Sequence, residues 1–314
     1  MDEKVKSTNE LICDPDSGVC EIPITDEKQN ASVVNPSQNQ KIKVLYFTDP
    51  ICSSCWGIEP QLRKLKLEYG DAIDIEYRMG GLLPDWSYNS GGISKPSDVA
   101  SHWDEVSKHY DMPIDGDVWL EDPLHSSYPP SIAFKAAQLQ DQNKAVDFLR
   151  VIREMVFLKK KNITKSDHLN AAAQQVGLNV AQFTSDYSSL ASKLFEEDLN
   201  LARAYRVRGF PTVFFFDTAG GNQIVYGAKP YRAYEAELLK IDPSLQKNPY
   251  DKSWQTLFSK YPTLTAREFA ELSGTPRTNS ETTLNNLVAE GLLYTLTTKN
   301  GAIWSKHTFE VKLE

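Results

Sequence analysis

Residues Phe47 to Pro60 read FTDPICSSCWGIEP, with Cys52 and Cys55 three positions apart directly after an apolar run. Two chemistries use that spacing: a dithiol that makes and breaks a disulfide, or half of a tetrahedral zinc site. A thiol attacks only as its thiolate, and its pKa falls when the sulfur sits at a helix N-terminus. Strand-like residues give way to helical spacing at Cys52, which makes Cys52 the expected attacking residue. Cys55, one turn further in, is the expected resolving residue, placed to release a partner from a mixed disulfide on Cys52. Asp49 stands three residues before the pair. A buried carboxylate there could take the proton of Cys55 during resolution; a plain strand-end cap is the equal alternative.

The chain has two other cysteines, Cys13 and Cys20, in the segment CDPDSGVC. Asp-Pro and Ser-Gly are turn formers, so the segment folds back on itself and a small disulfide loop is feasible. Such a loop could exchange with Cys52 as a second redox pair, either a tethered relay or a guard. Two exposed, reduced thiols without a role are the alternative. All four cysteines together could also bind zinc, but C-x6-C is loose for a zinc knuckle and the dithiol is the better reading. His102, His109, His125, His168 and His307 are dispersed and show no metal-ligand spacing. Neither a metal nor an organic cofactor is expected.

These residues need elements to hold them. KIKVLYFTD, from Lys41, is a nearly continuous apolar and β-branched run suited to a central strand buried on both faces. After the cysteines, Ile58, Leu62 and Leu65 recur at helical spacing, predicting one helix over about 53–68 with Pro60 kinking it. Ile73, Ile75, Tyr77 and Met79 alternate, which predicts a second strand ending at Gly80–Gly81. Glycines there would let the backbone approach the dithiol closely. From about 97 to 206 the periodicity is helical: SDVASHWDEVSKHY, SIAFKAAQLQDQ, NKAVDFLRVIREMVFL, SDHLNAAAQQVG and one long helix from Asn179, several opening on Ser or Asp. VRGFPTVFFFD, the turn TAGGN and QIVYG then predict a hairpin, followed by a helix around YRAYEAELLK. Beyond a Pro-containing linker, three short helices and a two-stranded wing turning at Asn300–Gly301 suggest a winged-helix order.

The expected division is a polar tail over 1–40 carrying the C-x6-C loop, an α/β unit over 41–95 and 206–245 that holds the dithiol, an inserted helical unit over 96–205, and a winged-helix-like module over 246–314. Bulk properties agree with such a chain. It has 314 residues, 40% hydrophobic and 24% charged, enough for an ordinary core without a disulfide framework. A net charge of -8 argues against nucleic acid as a partner, since phosphate binding needs a basic face. The third C-terminal helix gives DNA contact only weak support: TNSETTLNNLVAEG has two Glu and no Lys or Arg, and residues 250–314 carry seven Lys and Arg against seven Asp and Glu. Docking a protein, or dimerisation, suits that module better. No window approaches 18 apolar residues and the N-terminus has no apolar signal region, so a cytoplasmic protein without a membrane span is expected.

YFTDP, CSSCWGIEP, MGGLLPDW and VRGFPTVFFFD together resemble the DsbA-like branch of the thioredoxin superfamily, and more narrowly its FrnE-type dithiol–disulfide oxidoreductases. The resemblance covers roughly 41–245. It implies an α/β thioredoxin-like fold with a large DsbA-type helical insertion, to which the C-terminal α+β module is added. It also implies that Pro211 follows a cis peptide bond, packs against the dithiol, and holds the backbone of Phe210 open to an extended substrate. Phe210, Pro211 and Thr212 would then bind substrate, with Gly80 and Gly81 nearby and Trp56 as an apolar platform; core packing is the safer reading for Trp56. Family members usually place Pro and an aromatic or His between the cysteines, where this chain has Ser53 and Ser54. Serines add no positive charge, so a Cys52 pKa depressed less than in DsbA is expected. The function expected is thiol–disulfide exchange with protein or small-thiol substrates, glutathione or a thioredoxin system among its partners. The alternatives are a cytosolic protease-adaptor type of binding protein on the same scaffold, or a glutathione-dependent isomerase of the 2-hydroxychromene-2-carboxylate type. The last typically has Ser at the first cysteine, and the intact pair argues against it.

Overall fold

The computed structural model describes residues 13–14, 17–21, 41–87, 95–217 and 220–307. Two short strands, β1 (Cys13–Asp14) and β2 (Val19–Glu21), pair antiparallel with Cys13 opposite Cys20. These residues are therefore no free tail; the remainder of 1–40 lies outside the described residues. The run from Lys41 forms β3 (Ile42–Thr48), whose last five residues are buried. Next come α1 (Ser53–Gly57), α2 (Glu59–Tyr69) and β4 (Ile73–Met79). The single kinked helix expected here is two helices. Proline is at home in a first turn, where its missing N–H has no partner to lose, so Pro60 starts α2 instead of bending α1.

Helices fill the next hundred residues: α3 (Pro96–Tyr110), α4 (Val118–Glu121), α5 (Tyr128–Gln140), α6 (Gln142–Leu158), α7 (Ser166–Gln175), α8 (Val180–Tyr187) and α9 (Leu190–Ala204). The long helix expected from Asn179 breaks between α8 and α9. Ser188 and Ser189 sit at the break, their hydroxyls donating to the carbonyls of Thr184 and Ser185, a local alternative to the helix ladder. Strand β5 (Gly209–Phe210) precedes β6 (Thr212–Phe216), β7 (Asn222–Tyr226) and α10 (Tyr231–Ile241); of the expected TAGGN turn, 218–219 lie outside the described residues.

The main sheet has the order β4-β3-β6-β7, with β4 parallel and β6 antiparallel to β3. This is the central half of a thioredoxin fold, with the helical segment entering between β4 and β5. The main hydrophobic core runs without interruption from Val44 and Phe47 through Cys52, Cys55 and Trp56 into Phe134, Phe148 and Phe157 of the helices. The dithiol thus stands on a continuous packed core.

The C-terminal residues form α11 (Trp254–Lys260), β8 (Thr263–Thr265), α12 (Ala266–Ser273), α13 (Arg277–Ala289), β9 (Tyr294–Thr298) and β10 (Gly301–Ser305). The sheet order is β8-β10-β9, with β9 and β10 joined by a tight turn and β8 the strand that periodicity did not show. Leu257, Leu264, Phe269, Leu284 and Trp304 give this unit its own core. Charged residues, described below, join it to the rest. Among the described residues, no helix is long and apolar enough to cross a membrane.

Candidate active site

Cys52 is the N-cap of α1, and its sulfur accepts the backbone N–H of Cys55 at 3.1 Å. Both thiols are free and fully buried. Burial pushes the Cys52 thiol well above its ordinary value, reversing the depression expected from its helix position. Desolvation of the thiolate outweighs the short helix behind it. Burial also opposes ionisation of Cys55, yet that thiol is held below its ordinary value. The hydrogen bond with Cys52, the Arg153 charge, and the hydroxyls of Thr48 and Tyr46 together overcome the burial. In this arrangement the pair gives up its first proton on the Cys55 side.

Arg153, on α6, is the residue that sequence reasoning missed. It is completely buried, donates to Thr48 Oγ1 at 2.6 Å and to the Asp49 carbonyl at 3.2 Å, and pairs with Glu59. Thr48 in turn donates to Tyr46 OH at 3.0 Å. One turn back, Arg150 lies 4.4 Å over the Trp56 ring. A signal existed in the sequence: RVIREMVFL sets two arginines and a glutamate into an otherwise apolar stretch, and buried charge of that kind is placed for a reason.

Asp49 is also buried. Its carboxylate accepts from Ile51 N (3.0 Å), Leu82 N (2.8 Å) and Ser127 Oγ (2.8 Å), so it ties the strand end to the loop after β4. Burial raises its pKa from 3.8 to about 6 despite those bonds. A raised acid stabilises the fold most when protonated, so its contribution is complete below pH 3.8 and is lost as pH rises through about 6. Between those limits the loss is on the order of 3 kcal/mol. Urea midpoints from pH 4 to 7 should show that slope, and Asp49→Asn should flatten it; equal slopes in both proteins would remove Asp49 as the cause.

The Phe210–Pro211 peptide bond is cis, and Thr212 Oγ1 donates to the Gly209 carbonyl at 2.7 Å. The Phe210 ring packs onto Gly80 so closely that a Cβ there would lie 1.8 Å from its edge. Gly81 has φ +70° and turns the chain away. Phe210 and Trp56 are both 0% exposed. Trp56 donates its ring N–H to the Pro113 carbonyl at 3.1 Å and stacks on Phe157. Neither ring offers a surface platform; both are core. Ser54 shares a hydrogen bond with Tyr110 OH at 2.7 Å, away from the thiols, and the Ser53 hydroxyl has no partner among the described residues.

The edge of Phe210, where an extended substrate was expected, carries β2 of the same chain. Cys20 pairs with Phe210 and Glu21 with Gly209 in antiparallel register. Cys20 is fully buried and disulfide-bonded, and its sulfur lies 3.1 Å from Cys52 Sγ. Three of the four cysteines therefore meet at one point, and the fourth, Cys13, is opposite Cys20 along the backbone. Among the described residues no group of three or more His, Cys, Asp or Glu is arranged to hold a metal ion.

Residues 45–236 match the family model described as Thioredoxin. The ClpXP adapter protein SpxH of Halalkalibacterium halodurans is 34% identical over 305 residues, covering 94% of this chain and 97% of that protein. The protein of the same name from Shouchella clausii is 30% identical, covering 93% and 95%. Among solved structures, the cytosolic disulfide reductase DsbM from Pseudomonas aeruginosa superposes with a TM-score of 0.52 at 22% identity, over 63% of this chain and 98% of that one. That last likeness speaks for the thioredoxin-like, DsbA-type fold and its helical insertion. The chain belongs to the thioredoxin family and, within it, to the SpxH proteins.

Proposed function

We propose that this chain is an adaptor that delivers a client protein to the ClpXP protease. The observation that carries this reading is the near full-length likeness to the H. halodurans ClpXP adapter, which takes in the C-terminal module as well as the thioredoxin-like part. The geometry supports it. Cys52 is buried and covered by the chain's own strand, which suits binding more than rapid turnover. A cytoplasmic location and the four-part division of the chain belong to the same proposal, as does a winged-helix-like module that docks protein.

The test is direct. The purified chain is added, with ClpXP and ATP, to a soluble extract of H. halodurans, and protein half-lives are followed by quantitative mass spectrometry. One or a few proteins should disappear faster, and the purified client should behave the same way with ClpXP alone. No client whose loss accelerates would sink the adaptor reading.

Thiol–disulfide oxidoreductase activity of the DsbA or FrnE type is the second reading. It rests on Cys52 at a helix start, Cys55 behind it and Arg153 beside them, next to the Phe210–Pro211 edge. Its partners would be protein disulfides, with glutathione or a thioredoxin system as the small-thiol supply. Insulin reduction abolished by Cys52→Ser would establish it, and the two readings are compatible in one molecule.

A further inference from the structure

The N-terminal hairpin sits where a substrate would. Its strand β2 adds to the Phe210 edge through antiparallel pairing, the mode by which extended peptides dock on exposed strand edges. The seat is shaped for it: a Cβ at Gly209 would lie 2.4 Å from Val19 Cγ1, so only glycine admits the strand. The Gly18 carbonyl accepts from Ala228 N at 2.6 Å and the Ser17 carbonyl from Lys229 Nζ at 3.3 Å. Val19 and Cys20 are buried in the process. Cys20, already half of a disulfide, is thereby presented to the free thiol of Cys52.

We propose that Cys20 is a third reacting sulfur, and that its disulfide passes within the chain to Cys52 and Cys55. The contact is 3.1 Å, and a disulfide bond is ~2.05 Å, so roughly one ångström of approach converts contact into bond. With Cys52 and Cys55 free, the chain's remaining cysteine, and hence the partner of Cys20, is Cys13.

In the first step Cys52 loses its proton, against the pull of its burial, and attacks Cys20 Sγ as thiolate. A Cys52–Cys20 bond forms, the Cys20–Cys13 bond breaks, and the electron pair leaves on Cys13, which takes a proton. In the second step Cys55, whose thiolate is stabilised from the Arg153 side, attacks Cys52 Sγ and releases Cys20 as thiolate. Two electrons have moved from the Cys52–Cys55 dithiol to the hairpin cysteines, and no outside oxidant or reductant is consumed. The exchange is reversible, and it needs only the dithiol, whether or not the chain serves ClpXP.

A Cys55→Ser chain stops the sequence after its first step. It is prepared full length, oxidised mildly, left at pH 8 and then alkylated, and its linked peptides are mapped by mass spectrometry without reduction. The expected result is an intramolecular Cys20–Cys52 link with Cys13 newly alkylated, at a level independent of protein concentration. Persistent Cys13–Cys20 linkage with Cys52 alkylated throughout would overturn the proposal, as would zinc held by the reduced thiols with no exchange. Adding Cys20→Ser should abolish the link. A redox titration of Cys52–Cys55 in the Cys20→Ser chain reports on the fold and dithiol: a normal transition there, beside an absent link, rejects the exchange alone and leaves the dithiol intact.

Discussion

Glu268→Ala is expected to cost about 3–5 kcal/mol, the typical effect of breaking a buried ion pair by removing one member. Glu268 is 0% exposed in α12, and it holds Arg150 at 2.7 Å and Arg63 at 3.0 Å. It also closes the capping box of its own helix, accepting the Thr265 N–H while Thr265 Oγ1 accepts the Glu268 N–H. Loss of the carboxylate takes the shortest ion pair from two guanidiniums, leaving Arg150 to Glu154 at 2.8 Å and Arg63 to Glu59 at 3.8 Å, and uncaps α12 at the same time. Calorimetry should show the C-terminal module melting ahead of the rest, and protease should cut the linker near residue 250 in the variant first. Combining Glu268→Leu with Arg150→Met should cost less than the sum of the two single changes, because the unpaired charge is removed with its partner. An additive loss would mean that the pair contributes packing alone. Acid has the same target. Burial alone would raise the Glu268 pKa, but Arg150 and Arg63 hold it below the ordinary glutamate range. Its contribution is therefore complete above that range and fades as pH falls through the lowered value.

Arg153→Met is expected to make the dithiol more reducing and less reactive. Arg153 favours the thiolate of Cys55, so removing its charge raises the pKa of the pair and favours the disulfide over the dithiol. Each unit of thiol pKa gained at neutral pH corresponds to about 1.4 kcal/mol, or about 30 mV for the two-electron couple. A glutathione titration should show a more negative midpoint, with slower alkylation by iodoacetamide. The fold should survive, because Glu59 keeps Arg63 at 3.8 Å and Arg150 at 3.9 Å. Arg153→Lys should recover part of the shift. An unchanged midpoint in a well-folded Arg153→Met protein would leave Arg153 a purely structural role.

How much of this could be read from residues alone depends on how local the cause is. The run VLYFT and the alternation from Ile73 to Met79 are local patterns, and each became the expected element; the turn expected at Asn300–Gly301 falls one residue earlier, at 299–300, with Gly301 opening β10. The dithiol at a helix start is local as well. Cover over that dithiol is not: Cys20 meets Phe210 across 190 positions of sequence, and no periodicity announces such a pairing. Without that cover the helix dipole argued for an acidic Cys52; with it, desolvation reverses the sign. Strand β8 and helix α4 are only three and four residues long, too short to show a period. Arg153 sat within an expected helix, but its partners Thr48 and Glu59 are brought to it only by the fold.

The hairpin on the Phe210 edge also sets a threshold for any visitor. A segment of the same chain competes at an effective concentration that can reach the order of millimolar. A peptide that grips the edge no better than β2 does must itself reach about millimolar levels to displace it half the time. On the adaptor reading proposed above, a client that used this edge would have to bind more tightly than the protein binds itself, or arrive when the hairpin has let go, so affinity and timing together would decide which proteins are admitted.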